Sequence, residues 1–137
     1  MTDTLGLVTL SEPLSPASEA YRTLRMNLQF AALDRPLRSL LITSPGPGEG
    51  KSTTLANLAV TMAQVEQRVI MVDCDLRRPS LHQLLGLQNE AGLTTMMVDE
   101  QAMETPPLQQ TAVENLRFLA SGPPPPRPSD LTGPQRM

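Results

Sequence analysis

Apolar positions along this chain follow two periods. Tyr21, Leu24, Leu28 and Ala32 fall at helical spacing, Ser18 is placed to cap the start, and Pro36 breaks the pattern, which predicts a helix over residues 18–32. Residues 38–43 (RSLLIT) are a short apolar run closed by a Pro/Gly cluster, the pattern of a buried strand. Residues 44–50 (SPGPGEG) form a turn-rich loop. Leu55, Leu58, Ala59, Met62, Ala63 and Val65 then predict an amphipathic helix over residues 51–67. Residues 69–72 (VIMV) read as a second buried strand, ending in Asp73. Strand, loop, helix and strand thus follow within about 35 residues, the size of one βαβ unit, whose crossover is right-handed by rule. Downstream, residues 80–85 predict a short helix stopped by Gly86, residues 93–98 another, and residues 116–120 (LRFLA) a third strand. Residues 122–128 (GPPPPRP) are extended or polyproline-like. Residues 1–16 are polar and interrupted by Pro13 and Pro16. The expected organisation is an extended N-terminal arm, residues 1–17, followed by one domain over residues 18–137. No internal repeat is present.

Composition narrows this picture. A length of 137 residues suits one modest domain. Aromatics are only 2%, so the core must be built from Leu, Val, Ile, Met and Ala. A net charge of −3 carries no nucleic-acid footprint. The one cysteine, Cys74, rules out an internal disulfide and fits a reducing, cytosolic setting. The first ten residues lack a basic n-region and an apolar h-region, and no apolar run approaches the ~20 residues that span a bilayer. Work at a membrane is therefore expected to need another chain. Ten arginines stand against a single lysine, Lys51, which suggests that one position requires a compact ammonium.

That lysine lies in Gly46-Pro-Gly-Glu-Gly-Lys-Ser-Thr, between the first predicted strand and the helix. Glycines let backbone N–H groups turn inward toward an anion, and the helix N-terminus points its positive end at the same place. This is the chemistry of a phosphate-binding P-loop. Gly46, Gly48, Glu49, Gly50, Lys51, Ser52 and Thr53 would surround nucleotide phosphates, Lys51 reaching the β- and γ-phosphates and Ser52 ligating Mg²⁺. Pro45 occupies the first glycine position of the strict pattern, at the start of the turn. The alternative is an ordinary Gly/Pro turn between strand and helix.

Asp73 and Asp75 stand at the end of the second predicted strand. In a parallel sheet the C-terminal strand ends gather at the ligand crevice. Two residues apart, both carboxylates can face one side, where they could hold Mg²⁺ or accept a proton from an attacking hydroxyl. The competing reading is an Asx-type cap on the turn before Pro79. Cys74 should face the opposite side and pack in the core. His82 is expected at the surface rather than on a metal.

With these residues in view, the chain resembles the bacterial tyrosine kinases (BY-kinases) of capsular and exopolysaccharide biosynthesis. Four stretches carry the resemblance, in order: residues 18–27 (SEAYRTLRMN), residues 43–54, residues 72–80 (VDCDLRRPS), and Gly92-Leu93 with residues 122–131. The first is similar to the family's N-terminal helix, and the next two to its Walker A and Walker A′ motifs. The resemblance implies an α/β P-loop NTPase fold, a parallel sheet flanked by helices. It implies binding of ATP with Mg²⁺ and transfer of the γ-phosphoryl group to protein tyrosines. Catalysis would fall to Lys51, Asp73 and Asp75, and the metal to Ser52, Asp73 and Asp75. Glu19, Arg22 and Arg25, read as the family's E-x-x-R-x-x-R motif, would help subunits assemble into a homo-oligomeric ring. A membrane-spanning activator of polysaccharide export would hold the kinase at the inner face of the cell membrane.

Three departures qualify that expectation. The family's Walker B strand, an apolar run ending in Asp that lies beside the P-loop strand, is expected downstream of the proline-rich segment and is not in this sequence. The family's tyrosine-rich tail is also lacking, since Tyr21 is the single tyrosine. Glu66 stands where the family has glycine after the P-loop helix, a poorer C-cap. The expectation is a domain truncated before Walker B, marginally stable and poorly active alone. Two other classes compete. A partition-type ATPase would carry an early signature lysine, but Gly46 stands there, and metal-cluster carriers of this class need paired cysteines. A non-catalytic nucleotide-binding scaffold subunit is the third reading.

Overall fold

The computed structural model describes residues 7–32, 34–43 and 50–123. The chain divides into two compact units, Met1–Val69 with Val113–Asn115, and Ile70–Ala112 with Leu116–Met137.

The first unit is helical. Val8–Ser11 forms one helical turn (α1), Pro16–Ala31 a long helix (α2) and Lys51–Gln64 a third (α3). Each packs on the other two. α2 begins where local chemistry permits: Ser15 accepts the N–H of Ser18 at 3.2 Å, Pro16 needs no N–H partner in the first turn, and Glu19 complements the helix dipole. The expected cap, Ser18, is instead inside the helix and fully buried. Its hydroxyl sits 3.0 Å from the Val8 carbonyl oxygen and 2.7 Å from that of Glu12. Val8–Ser11 is thus helical rather than extended, because Ser18 and α3 supply partners for polar groups of this segment, and residues 1–6 of the expected arm lie outside the described residues. α3 buries Ala56, Leu58, Ala59, Val60 and Ala63, aliphatic side chains of which three are alanine. Asn57, Thr61 and Thr9 are buried among them.

Residues 38–43 form no strand, and Leu41 is 82% exposed. The βαβ unit expected from the hydrophobic pattern is therefore present as its helix and second strand only. An apolar run becomes a strand only when neighbours take its backbone hydrogen bonds and cover its side chains, and among the described residues nothing pairs with this one.

A three-stranded sheet, formed by residues of the second unit apart from Val69, has β1 (Val69–Val72), β2 (Gln109–Gln110) and β3 (Leu116–Leu119) in the order β1-β3-β2. β1 and β3 run parallel, as the bonds from Val69 N–H to the Asn115 carbonyl (2.8 Å) and from Asp73 N–H to the Leu119 carbonyl (3.0 Å) show. β2 joins β3 antiparallel, Gln109 facing Phe118. As the central strand, β3 buries Leu116, Phe118 and Leu119, whereas Ile70 on edge strand β1 is 56% exposed. Between β1 and β2 lie α4 (Leu81–Leu85), ended by Gly86 as expected, then α5 (Leu93–Val98) and α6 (Glu100–Glu104). α6 and β2 have no apolar periodicity in sequence; Asp99 caps α6 by accepting the N–H of Gln101 at 2.9 Å. With its parallel β1–β3 pair and flanking helices the architecture is α/β.

The residue after the C-cap of α3 is Glu66, held at φ 66° in the left-handed region that favours glycine. Glu66→Gly is expected to raise stability by about 0.5–1 kcal/mol, the relief of left-handed strain less the entropy glycine adds to the unfolded chain. Urea unfolding of the two proteins measures it.

Candidate functional site

The described part of the phosphate loop starts at Gly50. Its φ of 78° is left-handed, and a Cβ there would meet nothing within 4 Å, so backbone conformation rather than space calls for glycine. This turn lets Gly50 become the N-cap of α3, whose first bond runs from the Thr54 N–H to the Gly50 carbonyl at 2.9 Å. Lys51, Ser52 and Thr53 are therefore the first residues of the helix, at its positive dipole end. Gly46, Gly48 and Glu49 lie outside the described residues.

The acidic pair belongs to the second unit. Asp73, at the end of β1, is 4% exposed. Its Oδ1 accepts the N–H of Asp75 at 3.0 Å, and its Oδ2 accepts those of Ser80 and Leu81, each at 3.2 Å. Asp75 is half-buried, and its Oδ1 accepts the N–H groups of Arg77 (3.3 Å) and Arg78 (3.0 Å). The Asx-type capping foreseen as the competing reading is thus realised, and it closes residues 73–81 into a compact loop that holds both carboxylates.

Residues 37–121 match the model of a P-loop family described as ParA, NUBPL iron-transfer P-loop NTPase. The chain belongs to this ParA-type P-loop NTPase family. Its relatives place it more finely. It is 45% identical over 126 residues to "Tyrosine-protein kinase YwqD" of Bacillus subtilis (strain 168), covering 92% of this chain and 53% of that one. It is 38% identical over 120 residues to "Putative tyrosine-protein kinase CapB" of Staphylococcus aureus, covering 88% and 52%. The crystal structure of the chimerical protein CapA2B2 superposes with a TM-score of 0.85 at 39% identity, over 97% of this chain and 58% of that one. The chain thus corresponds to the N-terminal portion of a BY-kinase domain, about half the length of these relatives.

Other residues singled out in this P-loop protein fall as follows. Arg22 donates from Nε to Glu19 at 2.8 Å and from its guanidinium to the Pro13 carbonyl. Arg25 reaches across to α3 and donates to the Thr61 carbonyl at 3.0 Å, one of the carbonyls left open in the last turn of that helix. Glu19 is exposed. The two later landmarks meet: Gly92, the N-cap of α5, has its Cα packed against the Ala120 carbonyl, where any Cβ would overlap. The N–H groups of Leu93 and Thr94 bond the carbonyls of Ala120 (2.8 Å) and Ser121 (2.9 Å), and Asn89 accepts the Gly122 N–H at 2.7 Å. Residues 124–128 of the proline-rich segment lie outside the described residues.

Cys74 departs from expectation. It is exposed rather than packed in the core, because the chain leaves the sheet at Asp73 and Cys74 belongs to the loop. Its thiol is pushed above the ordinary range, first by partial desolvation and second by the Asp73 carboxylate. His82 is half-buried, with Nδ1 enclosed and unpartnered. Among the described residues no group of three His, Cys, Asp or Glu side chains forms a metal cage. Asn57, Thr9 and Asn89 were not marked by the sequence reading; a polar residue on the apolar face of a predicted helix, as Asn57 is, was the available signal.

Two outcomes follow from the loop geometry. Asp73→Ala should cost at least about 2 kcal/mol, since three backbone donors lose their acceptor, and hydrogen exchange at Asp75, Ser80 and Leu81 should accelerate. Cys74 should be alkylated by iodoacetamide more slowly at pH 8 in the folded chain than in urea, despite its exposure, because its raised pKa leaves less thiolate. The same shift removes stability as pH rises through the thiol's folded-state pKa, since the folded form binds that proton more tightly.

Proposed function

We propose that this chain is the nucleotide-binding N-terminal part of an ATP-dependent protein-tyrosine kinase that regulates capsular or exopolysaccharide synthesis and export. The observation that carries the reading is the left-handed Gly50 at the head of α3, with Lys51 and Ser52 in the first turn, inside a stretch that matches a P-loop NTPase family. Relatives named as tyrosine-protein kinases over nearly the whole chain support the reaction class.

Phosphoryl transfer asks little covalent chemistry of the protein and much positioning and charge. Lys51 and the N–H groups at the start of α3 would bind and orient the nucleotide phosphates. Ser52, Asp73 and Asp75 each carry the kind of hard oxygen that Mg²⁺ takes, an ion that uses one or two carboxylates and completes its shell with water and phosphate. Ser52, Asp73 and Asp75 would hold it, and when bound it neutralises charge on the phosphate oxygens. Asp73 is engaged by three backbone donors, which suits it to keep the loop in shape. Asp75, the less buried carboxylate, is proposed to share the metal and base roles with Asp73. Glu19, Arg22 and Arg25 are proposed to serve ring assembly through α2. A membrane-spanning partner is proposed as activator and anchor at the inner face, by resemblance to the capsular and exopolysaccharide kinases; no helix of the described residues is long and apolar enough to cross a membrane. The iron-transfer description of the family model finds no paired thiolates here, Cys74 being the one cysteine.

Lys51→Met is expected to weaken Mg²⁺-ATP binding by about 10–100-fold, the loss of a charge-assisted contact. Isothermal titration calorimetry reads this directly, and an unchanged affinity refutes the P-loop assignment. In the full-length protein the same substitution should end transfer of label from γ-labelled ATP to tyrosine. Nucleotide binding and assembly with no transfer by the parent protein would favour the scaffold reading instead.

A further inference from the structure

The first turn of α3 is braced from within the first unit by a buried polar relay. Asn57 is fully buried, one turn beyond Thr53. Its Nδ2 donates to the Thr53 carbonyl at 2.9 Å. Its Oδ1 accepts both the backbone N–H of Thr9 at 3.1 Å and the Thr9 hydroxyl at 2.7 Å. The amide orientation is settled by its partners, since a flipped amide would set an NH₂ against the Thr9 N–H and an oxygen against the Thr53 carbonyl. Thr9 is fully buried on α1, and α1 is held to α2 by Ser18, also fully buried, whose hydroxyl meets the Val8 and Glu12 carbonyls. Polar contacts therefore run from α2 through α1 and Asn57 to the carbonyl of the residue that follows Ser52. Val8, Thr9 and Ser18 all precede the 37–121 stretch that matches the P-loop family.

A helix interior gains nothing from a buried asparagine that a leucine would not supply by packing. What a satisfied buried amide adds is a single geometry, because any other arrangement leaves polar groups unpaired. We propose that Thr9 and Asn57 are positioning residues for nucleotide binding: docking of α1 on Asn57 sets the first turn of α3, and hence the affinity for a nucleoside di- or triphosphate. The inference rests on the reading of Gly50–Thr53 as the phosphate site. Coupling between sites is reciprocal, so a bound nucleotide must in turn hold α1 more firmly.

The test uses the full chain with Mg²⁺-ADP and Mg²⁺-ATP, by calorimetry well below the unfolding temperature and by hydrogen exchange. Thr9→Val keeps the shape and removes one donor. It should weaken nucleotide binding by about two- to tenfold, the span of one net hydrogen bond. Thr9→Ser, which restores the hydroxyl, should bring affinity back. Ser18→Ala, which loosens α1 without touching Asn57, should act in the same direction as Thr9→Val. Nucleotide should slow exchange of the Thr9 amide in the parent chain. A Thr9→Val protein that melts lower but binds nucleotide as tightly as the parent, with Thr9 exchange indifferent to nucleotide, overturns the coupling and leaves the phosphate site standing. A parent chain that binds neither nucleotide overturns both.

Discussion

Every backbone N–H withdrawn from water needs an acceptor, and in this chain the acceptors at the decisive points are side chains. Asp73 serves the N–H groups of Asp75, Ser80 and Leu81, Asn57 serves Thr9, Ser15 starts α2 through Ser18, and Asn89 receives Gly122. The composition makes this reliance intelligible. Aromatic residues are 2% of the chain, and the buried set of α3 is mostly Ala, Leu and Val. A core of small side chains excludes water without dictating one arrangement. Directional bonds from buried Asn, Ser, Thr and Asp then supply the specificity that large aromatic side chains would otherwise provide.

The same economy shapes the candidate site. Asp73, at the end of β1, closes the loop that carries Asp75. The parallel pairing of β1 with β3 is what delivers Asp73 to that position, since its own N–H is the last bond of the ladder, to the Leu119 carbonyl. On the other side of the sequence motif, Gly50 adopts a conformation that ordinary residues resist, and the helix it opens presents Lys51 and Ser52 at its positive end. Arg25 treats the far end of that helix in kind, placing a cation on the Thr61 carbonyl. The P-loop helix is thus held at its start by a glycine turn and Asn57, and at its finish by an arginine from α2.

Sequence and tertiary structure divided the work along a physical line. Short-range chemistry was readable from the residues alone: the strand at 69–72, the strand beginning at 116, the helices before Gly86 and after Gly92, the glycine turn ahead of Lys51, and the awkward Glu66 after α3 all depend on neighbours within a few positions. The family itself was legible for the same reason, because its motifs are local. What depended on distant partners was not. Residues 38–43 have a strand's composition but no ladder, so Leu41 stays in solvent. Ser18 became a buried clasp because α1 folds back onto it, and Cys74 faces solvent because Asp73 turns the chain out of the sheet. α6 and β2 had no periodic signal and exist through a capping Asp and an antiparallel partner. Hydrophobic period and turn residues record what a segment can become on its own. Whether an apolar run is covered, and which polar atom ends beside which, is settled only when segments far apart in sequence meet.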